Sequence, residues 1–256
     1  MIELKSPAEI EAMRPAGRFV AQVLAALREH AAVGVNLLEL DALAARMIKE
    51  AGAVSCYVDY APAFGNGPFG YSLCTSVNDA VLHGKPHDYK LRDGDVLSVD
   101  FAASLNGWVA DAAVSVVVGR ENAEGARMIR ATEEALAAGI AQAVPGNKLG
   151  DISHAIGEVA RSYGLTVNLE YGGHGVGHTM HEDPHISNDG RAGRGFKIQP
   201  GMVFAIEPWF MAGTDKLRTD KDGWTLRSVD GSVTAHSEHT VAITEDGALV
   251  LTAPLD

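Results

Sequence analysis

The chain has little of what export, membrane insertion or nucleic-acid binding would require. Cys56 and Cys74 are the two cysteines among 256 residues, without a paired C-x-x-C spacing, so neither a disulfide framework nor a thiolate zinc site is indicated and a reducing compartment fits. Basic residues are scarce: 21 Lys and Arg stand against 33 Asp and Glu, a formal charge of −12. No basic cluster offers the electrostatic footprint that a nucleic acid or an anionic membrane needs. Long apolar runs are missing too. Glu3, Lys5, Glu9, Glu11, Arg14, Arg18, Arg28 and Glu29 interrupt the first 30 residues, which leaves no signal-peptide core, and nothing later reaches the length of a membrane span. The expectation is a cytoplasmic protein with no nucleic-acid and no membrane partner.

What is present is ordinary globular material, 46% hydrophobic and 21% charged. Area scaling gives a folded surface of roughly 10,800 Å² against about 39,000 Å² extended, enough burial for one sizeable core. Ser6-Pro7-Ala8-Glu9 is a capping box with proline at the first helical position, and Ile10, Met13, Gly17, Val20, Leu24 and Leu27 follow at steps of three and four, which predicts a helix over 7–30. Asn36 and Glu39 repeat the signal, with Leu40, Leu43, Met47 and Ile48 on one face and Gly52 placed to end the helix. A glycine-rich stretch then contains a formal G-x-G-x-x-G over 65–70. It reads as a loop and not a dinucleotide cradle, since no apolar strand precedes it, Pro68 interrupts it and no helix follows.

The pair Asn106-Gly107 between Val96–Leu105 and Trp108–Val118 predicts a β-hairpin. The second half repeats the order, with helices over 122–143 and 149–163 and strands near 202–211, 224–229 and 236–244. Each half thus offers two helices, a histidine-bearing segment and two strands that each carry an acid. The acids and histidines are His83, Asp100 and Asp111, then His174, Glu207 and Glu238. The order suggests a degenerate duplication in one α+β domain over 1–256, with the site between its halves.

A two-residue turn at Asn106-Gly107 sets Asp100 opposite Ala113 and Asp111 opposite Ala102. The two aspartates then share one face as diagonal neighbours, Cβ atoms roughly 7 Å apart, close enough to converge on a cation. Alternation alone could place them on a wet sheet face. Aspartate is depleted in strands, however, and two in one hairpin ask for a compensating charge. Four of the ten histidines fall between His174 and His185. His181-Glu182-Asp183-Pro184-His185 matches H-E-x-x-H as a string, but Pro184 forbids the helix that such a zinc motif uses. The glycines around His174 instead allow close backbone approach to a ligand. Glu207 ends an apolar strand and Glu238 starts another. Four carboxylates forced together would repel and take up protons, whereas two divalent ions balance their charge.

The segments Thr75–Gly84, Ser98-Val99-Asp100, Ala110–Ala113, Gly173–Gly177, His181–Pro184, Ala205–Pro208 and Ser237–Thr240 resemble, in order, those of type 1 methionine aminopeptidases, from Ile2 to about Leu251. The resemblance implies the pita-bread fold: pseudo-twofold duplicated helix pairs around a central antiparallel sheet, in one catalytic domain. It implies removal of the initiator methionine from nascent proteins whose second residue is small. The short interval between Glu207 and Glu238 leaves no room for the helical insertion of the type 2 enzymes, and no zinc-finger or proline-rich N-terminal extension is seen.

Carried over by position, Asp100, Asp111, His174, Glu207 and Glu238 would bind two divalent ions, with Asp111 and Glu238 bridging. Cobalt, manganese, iron, zinc and nickel all remain open. His83 and His181 would act on the substrate, His181 on the developing oxyanion and His83 at the scissile amide nitrogen. Glu207 would also relay a proton, to the leaving amine, after attack by a metal-activated water. Cys74 and Trp224 would line the methionine pocket, although core packing explains Cys74 equally well. A monomer acting on nascent N-termini, with a transient ribosome contact, is the expected form.

Two departures affect the pocket: Met180 stands where the family has an aromatic residue, and residues 65–72 lack the family's usual segment, so Tyr57, Tyr60 and Tyr71 find no aligned role. The rival readings are an Xaa-Pro aminopeptidase or dipeptidase, which usually carries a further N-terminal domain, a metal-free binding protein on the same scaffold, and a single-zinc protease using His181 and His185.

Overall fold

The computed structural model describes residues 2–63 and 66–254. Its elements in chain order are α1 (Pro7–His30), α2 (Leu37–Ala51), β1 (Val54–Ser55), β2 (Cys74–Val77), β3 (Ala80–Leu82), β4 (Val96–Leu105), β5 (Trp108–Val117), α3 (Ala123–Gln142) and α4 (Leu149–Ser162). There follow β6 (Gly173–Gly175), β7 (Glu182–Ile186), β8 (Val203–Ile206), β9 (Trp209–Met211), β10 (Leu217–Thr219), β11 (Leu226–Ser228), β12 (Thr234–His236), β13 (His239–Thr244) and β14 (Gly247–Val250). The four predicted helices stand at the predicted places because their ends are chemically marked. Ser6 and Glu9 close a reciprocal capping box at the start of α1, Asn36 and Glu39 do the same for α2, and Gly52 ends α2 in the left-handed region at φ 64°.

The hairpin forms in the predicted register, Asp100 opposite Ala113 and Ala102 opposite Asp111. Asn106 and Gly107 both have positive φ, 54° and 81°, which matches the right-handed strand twist of a two-residue turn. β4 also pairs with β1 and β2, giving a four-stranded antiparallel sheet, and a five-stranded one runs in the order β14-β13-β8-β6-β7. Helix α1 packs on β4 and β5, burying Met13, Phe19 and Val20 with Leu97 and Phe101. Helices α3 and α4 pack together over the second half, where Met128, Ile152 and Ile156 meet Phe204 and Val241.

The first sheet meets the second half along β5, where Asp111 N–H donates to Thr240 Oγ1 at 2.9 Å and Thr240 Oγ1–H donates to the Asp111 carbonyl at 2.7 Å. Ala113 N–H donates to the Glu238 carbonyl at 3.3 Å and Glu238 N–H to the Ala113 carbonyl at 3.0 Å. Since Cys74 pairs with Asp100 and Asp100 with Ala113, the row Cys74, Asp100, Ala113, Glu238 crosses from one half into the other. Directly paired residues point to the same side, so this row aims an aspartate and a glutamate at one space.

The sequence reading is corrected in the second half. The strand expected over 202–211 breaks at Glu207-Pro208 into β8 and β9, and that expected over 236–244 breaks at Ser237-Glu238 into β12 and β13. Pro208 has no N–H to continue a ladder. Beyond it the chain changes partner, β8 pairing with β13 and β9 with β12. Both glutamates therefore lie at the point of exchange. In the glycine-rich loop, Phe64 and Gly65 lie outside the described residues, so the start of the formal 65–70 motif is not covered; no helix follows Gly70, and the buried Phe69 N–H donates to the Tyr60 carbonyl at 2.9 Å.

Candidate metal centre

A cavity of about 320 Å³ between the halves is lined by Asp100, Asp111, His174, Glu207 and Glu238 together with His83, His181, Cys74 and Trp224. Every predicted site residue thus reaches one space. Its polar end is dense. His174 Nε2 lies 3.8 Å from Asp111 Oδ2 and 3.6 Å from Glu207 Oε1, and His236 Nε2 lies 3.7 Å from Glu207 Oε2 and 3.6 Å from Glu238 Oε2. Ligand atoms of Asp111, His174 and Glu238 fall within 4.8 Å of one another, and so do those of Asp100, His236 and Glu238. The two groups share Glu238.

Burial is the main cause of every shift here. It pushes Asp100 up to about 6, with the Tyr57 hydroxyl acting in the other direction. Asp111 is held well above the carboxylate range by burial and by the charge of Asp100. Glu207 is raised by burial and then by Asp100 and Asp111, and Glu238 by burial and then by Asp111, Glu207 and Asp100. The imidazoles go the opposite way: burial brings His174 to about 3, His83 to about 4 and His236 to about 3. Neutral rings keep a lone pair. His174 Nδ1 is 2.9 Å from the Gly175 carbonyl, which can only accept, so Nδ1 carries the proton and Nε2 offers its lone pair to the acids' side.

Acids that resist ionisation together, beside a neutral imidazole, suit divalent cations. Among the described residues Glu238 Oε1 and His236 Nε2 are buried without a hydrogen-bond partner, a cost that a bound cation relieves at the carboxylate. The residues therefore fit a metal.

The backbone that brings His174 in is crowded. A Cβ on Gly173 would lie 2.4 Å from the Ala205 carbonyl oxygen and one on Gly175 2.1 Å from that of Asp183, so strands β6, β7 and β8 close only over glycine. His83 follows β3 with φ 55°, a left-handed conformation rare for a residue with a side chain. His181 sits on the loop before β7, its Nδ1 3.2 Å from the Tyr60 hydroxyl and its ring 4.4 Å from that of His174 between centroids. Residues Glu182–Ile186 form a strand, so His181 and His185 do not stand one helical turn apart, and neither described metal group contains them.

The apolar end is aromatic. Trp224 and Phe69 meet edge to face at 5.2 Å, Tyr60 and Trp224 lie 6.2 Å apart, and Cys74 and Met180 complete the lining. Sequence reasoning missed Tyr57, Tyr60 and His236. For His236 a signal existed: it stands two residues before Glu238, and extended chain points such residues to one side. The tyrosines come from the loop whose segment differs from the resembled family, and nothing local marks them.

The profile of metallopeptidase family M24 matches residues 11–245. A methionine aminopeptidase of Aquifex aeolicus is 41% identical over 254 residues, 98% of both chains, and one of Clostridium acetobutylicum is 44% identical over 253 residues, 98% of this chain and 99% of that one. The crystal structure of a Thermotoga maritima methionine aminopeptidase superposes with a TM-score of 0.93 at 40% identity, covering 98% of this chain and 99% of that one. A Pyrococcus furiosus prolidase shares the fold with a TM-score of 0.76 at 23% identity, over 99% of this chain and 66% of that one.

Proposed function

Since the chain belongs to metallopeptidase family M24, we propose that it is a methionine aminopeptidase with the pita-bread fold, removing the N-terminal initiator methionine from nascent proteins when the second residue is small. The supporting observation is that one cavity joins the acid and imidazole cluster to an aromatic, apolar wall. The reading extends to one catalytic domain over 1–256, acting in the cytoplasm as a monomer with transient ribosome contact.

Asp100, Asp111, His174, Glu207 and Glu238 would hold two divalent ions, drawn from cobalt, manganese, iron, zinc or nickel. When bound, the ions supply Lewis acidity that activates water at neutral pH. The protein side chains do the rest. His181, exposed at the cavity and steadied by Tyr60, donates to the oxygen that gains charge at the scissile carbonyl. His83 holds the amide nitrogen side, fixed there by its unusual backbone conformation. Glu207 passes a proton to the leaving amine. Trp224, Phe69, Tyr60, Cys74 and Met180 enclose the methionine side chain, and the thioether suits such an aromatic wall.

Metal-stripped protein reloaded with manganese is expected to release methionine from Met-Ala-Ser and no alanine from Ala-Pro. The Asp111→Asn variant is expected to lose roughly three orders of magnitude in rate or more. Release of alanine from Ala-Pro in place of methionine would favour the dipeptidase reading. Elemental analysis that finds no metal at any loading would end the enzymatic one.

A further inference from the structure

We propose that His236 is a positioning residue of this centre: its Nε2 braces the carboxylates of Glu207 and Glu238 from the side opposite His174. The proposal rests on the metal-dependent reading above.

Glu207 stands between two imidazoles. Its Oε1 is 3.6 Å from His174 Nε2 and its Oε2 is 3.7 Å from His236 Nε2. The same His236 nitrogen is 3.6 Å from Glu238 Oε2. It therefore faces two acids that come from different points of the chain and meet where the strands exchange partners. The ring is 2% exposed and, among the described residues, its Nε2 has no hydrogen-bond partner. Its backbone is fastened on both sides: His236 N–H donates to Ser115 Oγ at 3.0 Å, Ser115 Oγ–H donates to the His236 carbonyl at 2.7 Å, and β12 pairs with β9 with His236 opposite Trp209. A fixed buried ring with an unsatisfied nitrogen, aimed at two carboxylates, is a donor in waiting. The gaps exceed a formed N–H···O bond by about half an ångström, and a small turn of either carboxylate closes one. An N–H on one oxygen of each glutamate fixes which lone pairs remain for a cation, and groups in this relation to ligands typically govern metal affinity.

The test is manganese titration of metal-stripped protein, wild type beside His236→Leu and His236→Gln, with thermal melting of the stripped forms and pulsed EPR of the nitrogen couplings to the bound ion. His236→Leu is expected to raise the manganese dissociation constant by about 10- to 100-fold without lowering the melting temperature of the stripped protein. His236→Gln keeps an N–H of similar reach and is expected to stay close to wild type. One imidazole, that of His174, is expected to couple in all three. Unchanged affinity in His236→Leu overturns the proposal. A second imidazole coupling in wild type that vanishes in His236→Gln also overturns it, in favour of direct ligation. Should His236→Leu not fold, His236→Asn, whose amide is too short to reach both acids, carries the same expectation. Wild-type protein that takes up no manganese would bring down the metal-dependent reading itself, an outcome distinct from equal binding by all variants.

Discussion

The Tyr57 hydroxyl lies 2.5 Å from Asp100 Oδ1 and 3.3 Å from Asp111 Oδ1, so one buried phenol reaches both aspartates of the hairpin. Burial and the charges of Asp100 and Asp111 hold Tyr57 well above its ordinary range, and it remains a donor. Tyr57→Phe removes that donor and little volume. Its manganese affinity, read by calorimetric titration, is expected to fall about tenfold, the lower end of what such supporting contacts contribute. Unchanged affinity would mean that the phenol only fills space.

The raised acids make the metal-free protein sensitive to pH, with a definite sign. Asp111, Glu207 and Glu238 are held above their ordinary values, so the folded state binds more protons than the unfolded chain, and the stability they provide at low pH is lost as pH rises. Buried His83, His174 and His236 act in reverse below their ordinary 6.5, each depressed to about 3 or 4, and their contribution is lost on acidification. Well above 6.5 those histidines are neutral in both states. The melting temperature of protein kept in chelator is therefore expected to decline as pH rises above the histidine range, and saturating manganese is expected to flatten the slope. A rising curve in chelator would contradict the account.

Lys5 enters the space beneath the loop that carries His181. Its Nζ is 2.6 Å from Glu182 Oε2, while Glu182 Oε1 accepts the N–H groups of His178 at 2.9 Å and Thr179 at 3.3 Å. The Lys5 side chain is 2% exposed, so its loss leaves a carboxylate without its cation. Lys5→Met is expected to cost about 3 kcal/mol in urea unfolding and to lower turnover through the misplaced loop. Adding Glu182→Leu is expected to restore part of the stability and none of the turnover.

His185 lines the cavity but belongs to neither metal group. The His185→Ala variant is expected to release methionine within about threefold of wild type, a difference of roughly 0.6 kcal/mol in the barrier. Abolished activity would revive the single-zinc alternative.

Legibility followed the range of the interaction that decides each feature. Helix ends and the hairpin depend on neighbours a few residues apart, so Ser6, Asn36 and Asn106-Gly107 announce them, and the pairing of Asp100 with Ala113 follows from the turn alone. The exchange of strand partners at Pro208 depends on which distant strand is available, and alternation cannot foretell that. The acids and His174 were legible because four negative charges pose a problem visible in the residue types themselves. Tyr57 was not, because its loop bears no local sign of where the phenol will end.

Ala113 stands on the row between Asp100 and Glu238, all facing the same way. It is buried, and its methyl group is the smallest side chain on that row. A bulkier occupant at 113 would crowd its neighbours on either side, so the spacing between the flanking carboxylates depends on a residue that carries no chemistry of its own.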